Sequence, residues 1–207
     1  MEEPAKKPKA VVYSDYICPF CFIGEDRANR LEREFGIDVE WKGFEIHPET
    51  PKEGCTIDKI GLTKDYIEVA RSSVLKLAED SGLKIEFPKI VSNSRRAMEI
   101  SEFAKEHGKF KEFNSAVFRG YWKDGKDIGD KEFLFDIAER CGLNVEKVKE
   151  YLRLGKGRMK LDNYLEEVKG LRITGVPTFV IGEQKIVGAQ PYEVLKRAYE
   201  EEAKKYG

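Results

Sequence analysis

The order of apolar and polar positions predicts a strand, a helix and a second strand near the start of the chain. Residues 11–13 form a short β-rich run. From about Cys18, small and apolar residues recur every three or four positions, as on a helix face that packs against a sheet. Gly36 is placed to end this helix, and residues 39–44 alternate like a second strand. Residues 11–44 are therefore predicted to form a parallel β–α–β unit.

The periodicity changes after this unit. Helical spacing predominates from about Leu62 to Gly170, with Asp130 placed as one helix N-cap. Strand patterns return at residues 177–181 and 185–187 and predict an antiparallel hairpin, after which Pro191 opens a last helix. The two ends of the chain are thus predicted to build one α/β sheet. The predicted organisation is a flexible tail over residues 1–10, a sheet domain over 11–55 and 171–207, and a helical insertion over 56–170.

Composition and charge exclude several classes of protein. The chain has 207 residues, 37 Lys and Arg against 38 Asp and Glu, and a net charge of −1. This balance argues against a dedicated nucleic-acid binder. The 41% hydrophobic content argues against disorder, and no apolar run approaches the roughly 18 residues of a membrane span. Residues 1–10 lack the apolar core of a signal peptide, so we expect a cytoplasmic location.

Four cysteines are too few for a disulfide-stapled scaffold, but two of them form a Cys-X-X-Cys motif. Cys18 and Cys21 are close enough in a helix to join in one disulfide, and Pro19 suits the first helical turn. The positive end of the helix dipole stabilises a thiolate at Cys18. We therefore predict that Cys18 is a nucleophile and Cys21 the resolving thiol, with uncharged Pro19 and Phe20 between them.

A zinc site is the alternative interpretation of this motif. It would need further ligands from Cys55 and Cys141, which are isolated cysteines rather than a second close pair. No metal site is therefore predicted. Cys141 lies on an apolar stripe and is predicted to be buried and inert, whereas Cys55 lies in a loop with Gly and Pro and is interpreted as a bystander.

A second element with chemical meaning is Val176-Pro177, at the start of a predicted strand. A cis peptide bond here would expose the Val176 backbone groups beside the sulfurs, where an extended substrate segment could pair with them. The alternative is an ordinary trans proline at a strand start.

Other residues invite simpler interpretations. Six aromatic residues between 103 and 122 are predicted to pack within the helical insertion. Arg95 and Arg96 are predicted to lie on a solvated helix face. His47 and His107 lack the spacing of metal ligands. The aromatic residues are Phe103, Phe110, Phe113, Phe118, Tyr121 and Trp122.

Several segments resemble one known family. They are DYICPFCFIG at residues 15–24, FEIHPE at 44–49, GVPTF at 175–179 and GAQP at 188–191. In this order they resemble the DsbA-like thioredoxin-fold oxidoreductases, particularly the FrnE branch. The resemblance implies a thioredoxin-like fold with a helical insertion and dithiol–disulfide exchange. Carried over by position, it makes Cys18 the attacking cysteine, Cys21 the resolving cysteine and Pro177 the cis-proline.

Two other functions share or fit this scaffold. Kappa-class glutathione transferases and 2-hydroxychromene-2-carboxylate isomerases resemble it, but they carry a Ser near the position of Cys18. A tryptophan-containing segment expected of those isomerases also differs from residues 188–191 of this chain. A binding module or holdase that uses the aromatic insertion is the third hypothesis.

The sequence favours a thiol–disulfide oxidoreductase that needs no metal or organic cofactor. Its substrate would be a thiol- or disulfide-containing protein or small molecule, contacted by Pro19, Phe20 and Val176, and a redox partner would recycle it. Nucleic acid and membrane partners are not expected. The direction of exchange and the oligomeric state stay open, with a homodimer among the alternatives.

Overall fold

The computed structural model describes residues 7–206 as one mixed sheet and a set of surrounding helices. The strands are β1 (Ala10–Ser14), β2 (Val39–Gly43), β3 (Thr178–Ile181) and β4 (Gln184–Val187). The helices are α1 (Pro19–Phe35), α2 (Lys64–Asp80), α3 (Arg95–Glu106), α4 (Phe110–Trp122), α5 (Lys131–Arg140), α6 (Val145–Arg153), α7 (Lys156–Gly170) and α8 (Tyr192–Ala203). Because α2–α7 lie between β2 and β3, the predicted thioredoxin-like α/β fold with a helical insertion is confirmed.

The sheet has the strand order β2-β1-β3-β4. Strand β1 pairs in parallel with β2, as the β–α–β pattern predicts, and antiparallel with β3. The predicted hairpin joins β3 to β4. Ser14 lies opposite Gly43, and Tyr13 lies opposite Thr178. The segment that follows β1 and the segment that precedes β3 therefore meet at one edge of the sheet.

Helix α1 has the predicted start and end. It begins at Pro19, with Cys18 as its N-cap residue. It ends at Phe35, and the C-cap residue Gly36 has a φ of 57° in the left-handed region and donates its N–H to the Glu32 carbonyl. A residue without a Cβ adopts this conformation at little cost, which explains the stop. The other predicted cap, Asp130, accepts the Glu132 N–H at 2.9 Å at the start of α5.

The helical insertion and the sheet share one hydrophobic cluster. Phe118 of α4 packs against Tyr16, with ring centroids 4.8 Å apart, and against Trp41 of β2. The Trp122 indole N–H donates to the Tyr16 carbonyl at 2.8 Å, in a buried position. The aromatic residues of the insertion therefore pack in the core as predicted, but they also cover the sheet domain. The domain boundaries at residues 55 and 170 stay predictions.

Two expectations need correction. Cys141 is half-buried rather than buried, because α5 ends one residue earlier and leaves Cys141 at its C-cap. Arg95 forms an ion pair with Glu45, and Arg96 donates to the Gly129 carbonyl at 3.0 Å, so neither is merely solvated.

The predicted tail also differs from the structure where it can be compared. Residues 1–6 lie outside the described residues. Ala10 already belongs to β1, and the Lys7 ammonium donates to the carbonyls of Phe35 and Gly36 at 2.9 and 3.0 Å. Strand pairing and these two hydrogen bonds attach the last part of the predicted tail to the fold.

The contact between α3 and α7 generates a first prediction. A Cβ at Gly157 would lie 2.8 Å from the Glu99 Cβ and 2.9 Å from its Cα and carbonyl oxygen. We expect Gly157→Ala to lower the free energy of unfolding by about 1–3 kcal/mol, since two helix backbones must separate. Denaturant unfolding monitored by circular dichroism measures this loss.

Gly170→Ala is the matched control, because a Cβ there would meet no atom within 4 Å in the same helix. Stability should stay unchanged or rise, by at most about 1 kcal/mol. Equal losses in the two variants would contradict the close approach of α3 and α7.

Candidate functional site

The Cys-X-X-Cys motif lies where β1 ends and α1 begins. Cys18 is the N-cap residue and Cys21 lies in the first turn of α1. Both are free thiols in this structure, 4% and 0% exposed respectively. Cys18 is the less covered of the two, which agrees with its predicted position at the outer end of the pair.

The sulfur of Cys18 lies where a helix N-terminus offers free donors. An N-cap side chain normally accepts a hydrogen bond from the second or third N–H of the helix. Here the thiol makes no such bond and instead donates to the Val176 carbonyl at 3.5 Å. The first turn of α1 holds no acidic residue that would repel a thiolate. Loss of the thiol proton would therefore free the sulfur to accept from the helix backbone.

Val176 reaches Cys18 from the segment that precedes β3. The Val176–Pro177 peptide bond is cis. A Cβ at Gly24 would lie 3.2 Å from the Pro177 Cγ, so α1 passes very close to this proline. Phe20, one of the residues predicted to contact substrate, is half-buried and packs against the apolar cluster that includes Val74 of α2.

Cys21 has a different environment from Cys18. Burial raises the pKa of the Cys21 thiol well above its usual value, and the neighbouring Cys18 sulfur raises it further. Two groups at the end of β1 act in the opposite direction. They are the Asp15 N–H, which donates to the Cys21 sulfur at 3.5 Å, and the Ser14 hydroxyl.

Asp15 ties the motif to the loop after β2, a role that the sequence reasoning missed. One carboxylate oxygen accepts the Ile17 N–H at 3.2 Å and the other accepts the Ile46 N–H at 2.8 Å. Burial raises the pKa of Asp15 to about 6. The signal in the sequence was an Asp at the start of a turn, where its carboxylate can accept the backbone N–H two residues later, as in an Asx-turn.

Glu25 is a second buried carboxylate that was missed. It lies on α1 one turn beyond Cys21 and accepts from the Ser115 hydroxyl at 2.5 Å and the Asn114 amide at 3.2 Å. Burial raises the pKa of Glu25 to about 7. Its position, four residues after Cys21 on the face that packs inward, was the signal in the sequence.

The remaining candidates lie elsewhere. Cys55 pairs with Val91 in an isolated β-bridge, and the rings of His107 and Phe103 stack with centroids 3.9 Å apart. His47 lies 3.0 Å from the Glu49 carboxylate. Over residues 7–206, no three side chains from His, Cys, Asp and Glu are arranged to hold a metal ion. Within the same range, no helix has the length and apolar character to cross a membrane.

The buried Glu25 carboxylate generates a prediction about pH. Its pKa is about 7 in the folded chain, against an ordinary 4.5. The folded state therefore binds the proton more tightly, and the cost of the buried charge grows as pH rises from about 4.5 to 7. We expect Glu25→Gln, whose amide oxygen can still accept both bonds, to stabilise the protein by about 2 kcal/mol at pH 8.

This gain should disappear near pH 4.5, as denaturant unfolding across the pH range would show. Glu68→Gln, at an exposed position of α2, is the control and should show no such pH dependence. A gain for Glu25→Gln that is the same at every pH would contradict the prediction.

The chain is similar to known proteins over most of its length. The model of the DSBA-like thioredoxin domain matches residues 10–200. The chain is 34% identical over 201 residues to the uncharacterized protein YwbO of Bacillus subtilis (strain 168), covering 94% of this chain and 96% of that protein.

Two solved structures show the same fold. A probable DsbA oxidoreductase from Streptomyces coelicolor matches with a TM-score of 0.82 and 24% identity, over 94% of this chain and 89% of that one. A 2-hydroxychromene-2-carboxylate isomerase matches with a TM-score of 0.77 and 17% identity, over 93% and 94%. The family model covers the strands, α1 and the Val176–Pro177 segment together, and the chain therefore belongs to the DSBA-like thioredoxin domain family.

Proposed function

We propose that this protein is a thiol–disulfide oxidoreductase in which Cys18 is the nucleophile and Cys21 the resolving thiol. One observation carries the proposal. Two free thiols share the N-terminus of α1, and the outer sulfur contacts the Val176 carbonyl from the segment before β3. Membership of the DSBA-like family supports disulfide exchange as the type of reaction.

The first step is attack by Cys18. The Cys18 thiol now donates a hydrogen bond to the Val176 carbonyl. When it loses its proton, the partial positive charge of the α1 N-terminus stabilises the negative thiolate. The Cys18 thiolate attacks one sulfur of a substrate disulfide, the other substrate sulfur leaves as a thiolate, and a mixed disulfide forms at Cys18. Backbone groups of Val176 would pair with an extended substrate segment, and Pro19 and Phe20 would supply an apolar rim.

The second step is resolution by Cys21. Its thiolate attacks the Cys18 sulfur, so that Cys18 and Cys21 join in a disulfide and the substrate leaves reduced. Run in reverse, the same steps oxidise a substrate dithiol. The direction depends on the relative stability of the two forms, which a reduction potential measured against glutathione determines. Neither step requires a metal or an organic cofactor.

The same residues argue against the glutathione-dependent and holdase alternatives. The 2-hydroxychromene-2-carboxylate isomerase shares the fold, but glutathione chemistry on this scaffold would use a single activating residue, whereas this chain has two thiols. The aromatic residues on which the holdase hypothesis rests are mostly buried, which leaves little of their surface for clients. The FrnE-like branch, the cytoplasmic location, the recycling partner and the homodimer stay predictions from the sequence.

The central test removes each thiol in turn. We expect Cys18→Ser to reduce exchange with a disulfide-linked fluorogenic peptide to the uncatalysed rate, because no thiolate remains to attack. Cys21→Ser should still attack once and then accumulate as a mixed disulfide, visible by mass spectrometry. Cys55→Ser and Cys141→Ser are matched controls and should keep the wild-type rate. Equal rates for wild type and Cys18→Ser would refute the mechanism.

A separate measurement distinguishes the glutathione-dependent alternative. If one activating residue were sufficient, Cys21→Ala would bind glutathione saturably and turn over an electrophilic substrate as fast as wild type. We expect instead that this variant shows no such turnover, because the chemistry proposed here needs both sulfurs. Calorimetric titration with glutathione and a conjugation assay provide the two readouts.

A further inference from the structure

Ser14 is the last residue of β1 and lies four residues before Cys18, the N-cap residue of α1. Its backbone carbonyl has a partner, since it accepts the Phe44 N–H at 2.9 Å. The side chain differs, because its hydroxyl is buried and has no hydrogen-bond partner among residues 7–206. A buried hydroxyl without a partner normally costs about 1–3 kcal/mol, so it calls for an explanation.

The neighbour of this hydroxyl is the resolving sulfur. Cys21 accepts from the N–H of Asp15, the residue next to Ser14, at 3.5 Å. The Ser14 hydroxyl lies near enough to this sulfur to lower the pKa of the Cys21 thiol against the effect of burial, although it makes no hydrogen bond to it. A thiol is a weak acceptor, whereas a thiolate is a charged one. The hydroxyl is therefore placed to gain its partner only when Cys21 loses its proton.

A small cavity with a mixed polar and apolar lining adjoins Ser14. It has a volume of about 20 Å³, which admits one water molecule. Besides Ser14, its lining includes the polar side chains of Tyr16, Ser101, Lys105 and Asn114. A water molecule in this cavity would lie within reach of the Ser14 side chain.

We propose that Ser14 is a positioning residue for the resolving step, whose hydroxyl donates a hydrogen bond to the Cys21 sulfur as that sulfur becomes a thiolate. The inference rests on the proposed function and names a residue that acts through Cys21. The Cys21 S–H gives its proton to water, and the Cys21 thiolate attacks the Cys18 sulfur. The bond from Cys18 to the substrate sulfur then breaks, and the substrate thiolate takes a proton from water. In this step the Cys21 sulfur is oxidised, the Cys18 sulfur stays in a disulfide, and the substrate sulfur is reduced.

A two-phase reaction separates this step from attack. In a Cys55→Ser/Cys141→Ser background, the reduced protein is mixed with equimolar dithiobis(nitrobenzoate), a symmetrical aromatic disulfide. Attack by Cys18 releases one coloured thiolate and resolution by Cys21 releases the second, so each phase has its own rate. Stopped-flow absorbance records both phases in the full chain.

The decisive variants are Ser14→Thr and Ser14→Val, which have nearly the same shape and differ in the hydroxyl. We expect Ser14→Val to resolve about tenfold more slowly than Ser14→Thr, as loss of a hydrogen bond to a charged group predicts. The first phase should be the same in both, because the Cys18 thiol bonds to the Val176 carbonyl and not to the Ser14 hydroxyl. If Ser14→Val fails to fold, Ser14→Ala takes its place and is compared with wild type.

Thr50→Val is the control for a merely structural effect, because the Thr50 hydroxyl is also buried without a partner. Both phases should keep their wild-type rates in this variant. Equal second phases in the variants with and without the Ser14 hydroxyl would overturn the inference and leave the proposed function intact. Absence of the first phase in wild type would instead refute the proposed function.

Discussion

Strand β1 pairs with β2 on one side and β3 on the other, and this double pairing is the constraint on which the site depends. The parallel pairing places the start of α1 and the loop after β2 at the same edge, because parallel strands end together. The antiparallel pairing brings the start of β3 to that edge as well. Cys18 and Val176, 158 residues apart in the chain, meet there as a direct result.

Burial then sets the chemistry of this edge. Cys21, Asp15 and Glu25 lie within the first turns of α1 or just before it, and burial raises the pKa of all three. Withdrawal from water disfavours the charged form of an acid, so each group needs hydrogen-bond donors in order to ionise. Asp15 and Glu25 each receive two such donors. Cys21 receives one backbone N–H. The nearby Ser14 hydroxyl is the second donor that we propose for its thiolate.

The helical insertion provides much of the burial. Trp122 donates to the Tyr16 carbonyl and Phe118 packs on the Tyr16 ring, two residues before Cys18. Further along α1, the Ser115 hydroxyl and the Asn114 amide of α4 donate hydrogen bonds to Glu25. The insertion is therefore part of the environment of the thiols and not only an appendage to the sheet. This explains why one hydrophobic cluster joins the insertion to the strands.

The sequence by itself determined the elements and the closeness of the two cysteines. Periodicity and cap residues such as Gly36 and Asp130 act locally, and two cysteines three apart at a helix start are close whatever surrounds them. Only the tertiary structure decided what faces the sulfurs. The environments of Asp15, Glu25 and Ser14 depend on burial and on residues distant in the chain, which no local pattern encodes. The same reason explains the error at Cys141, whose exposure depends on where α5 ends and on what packs beside it.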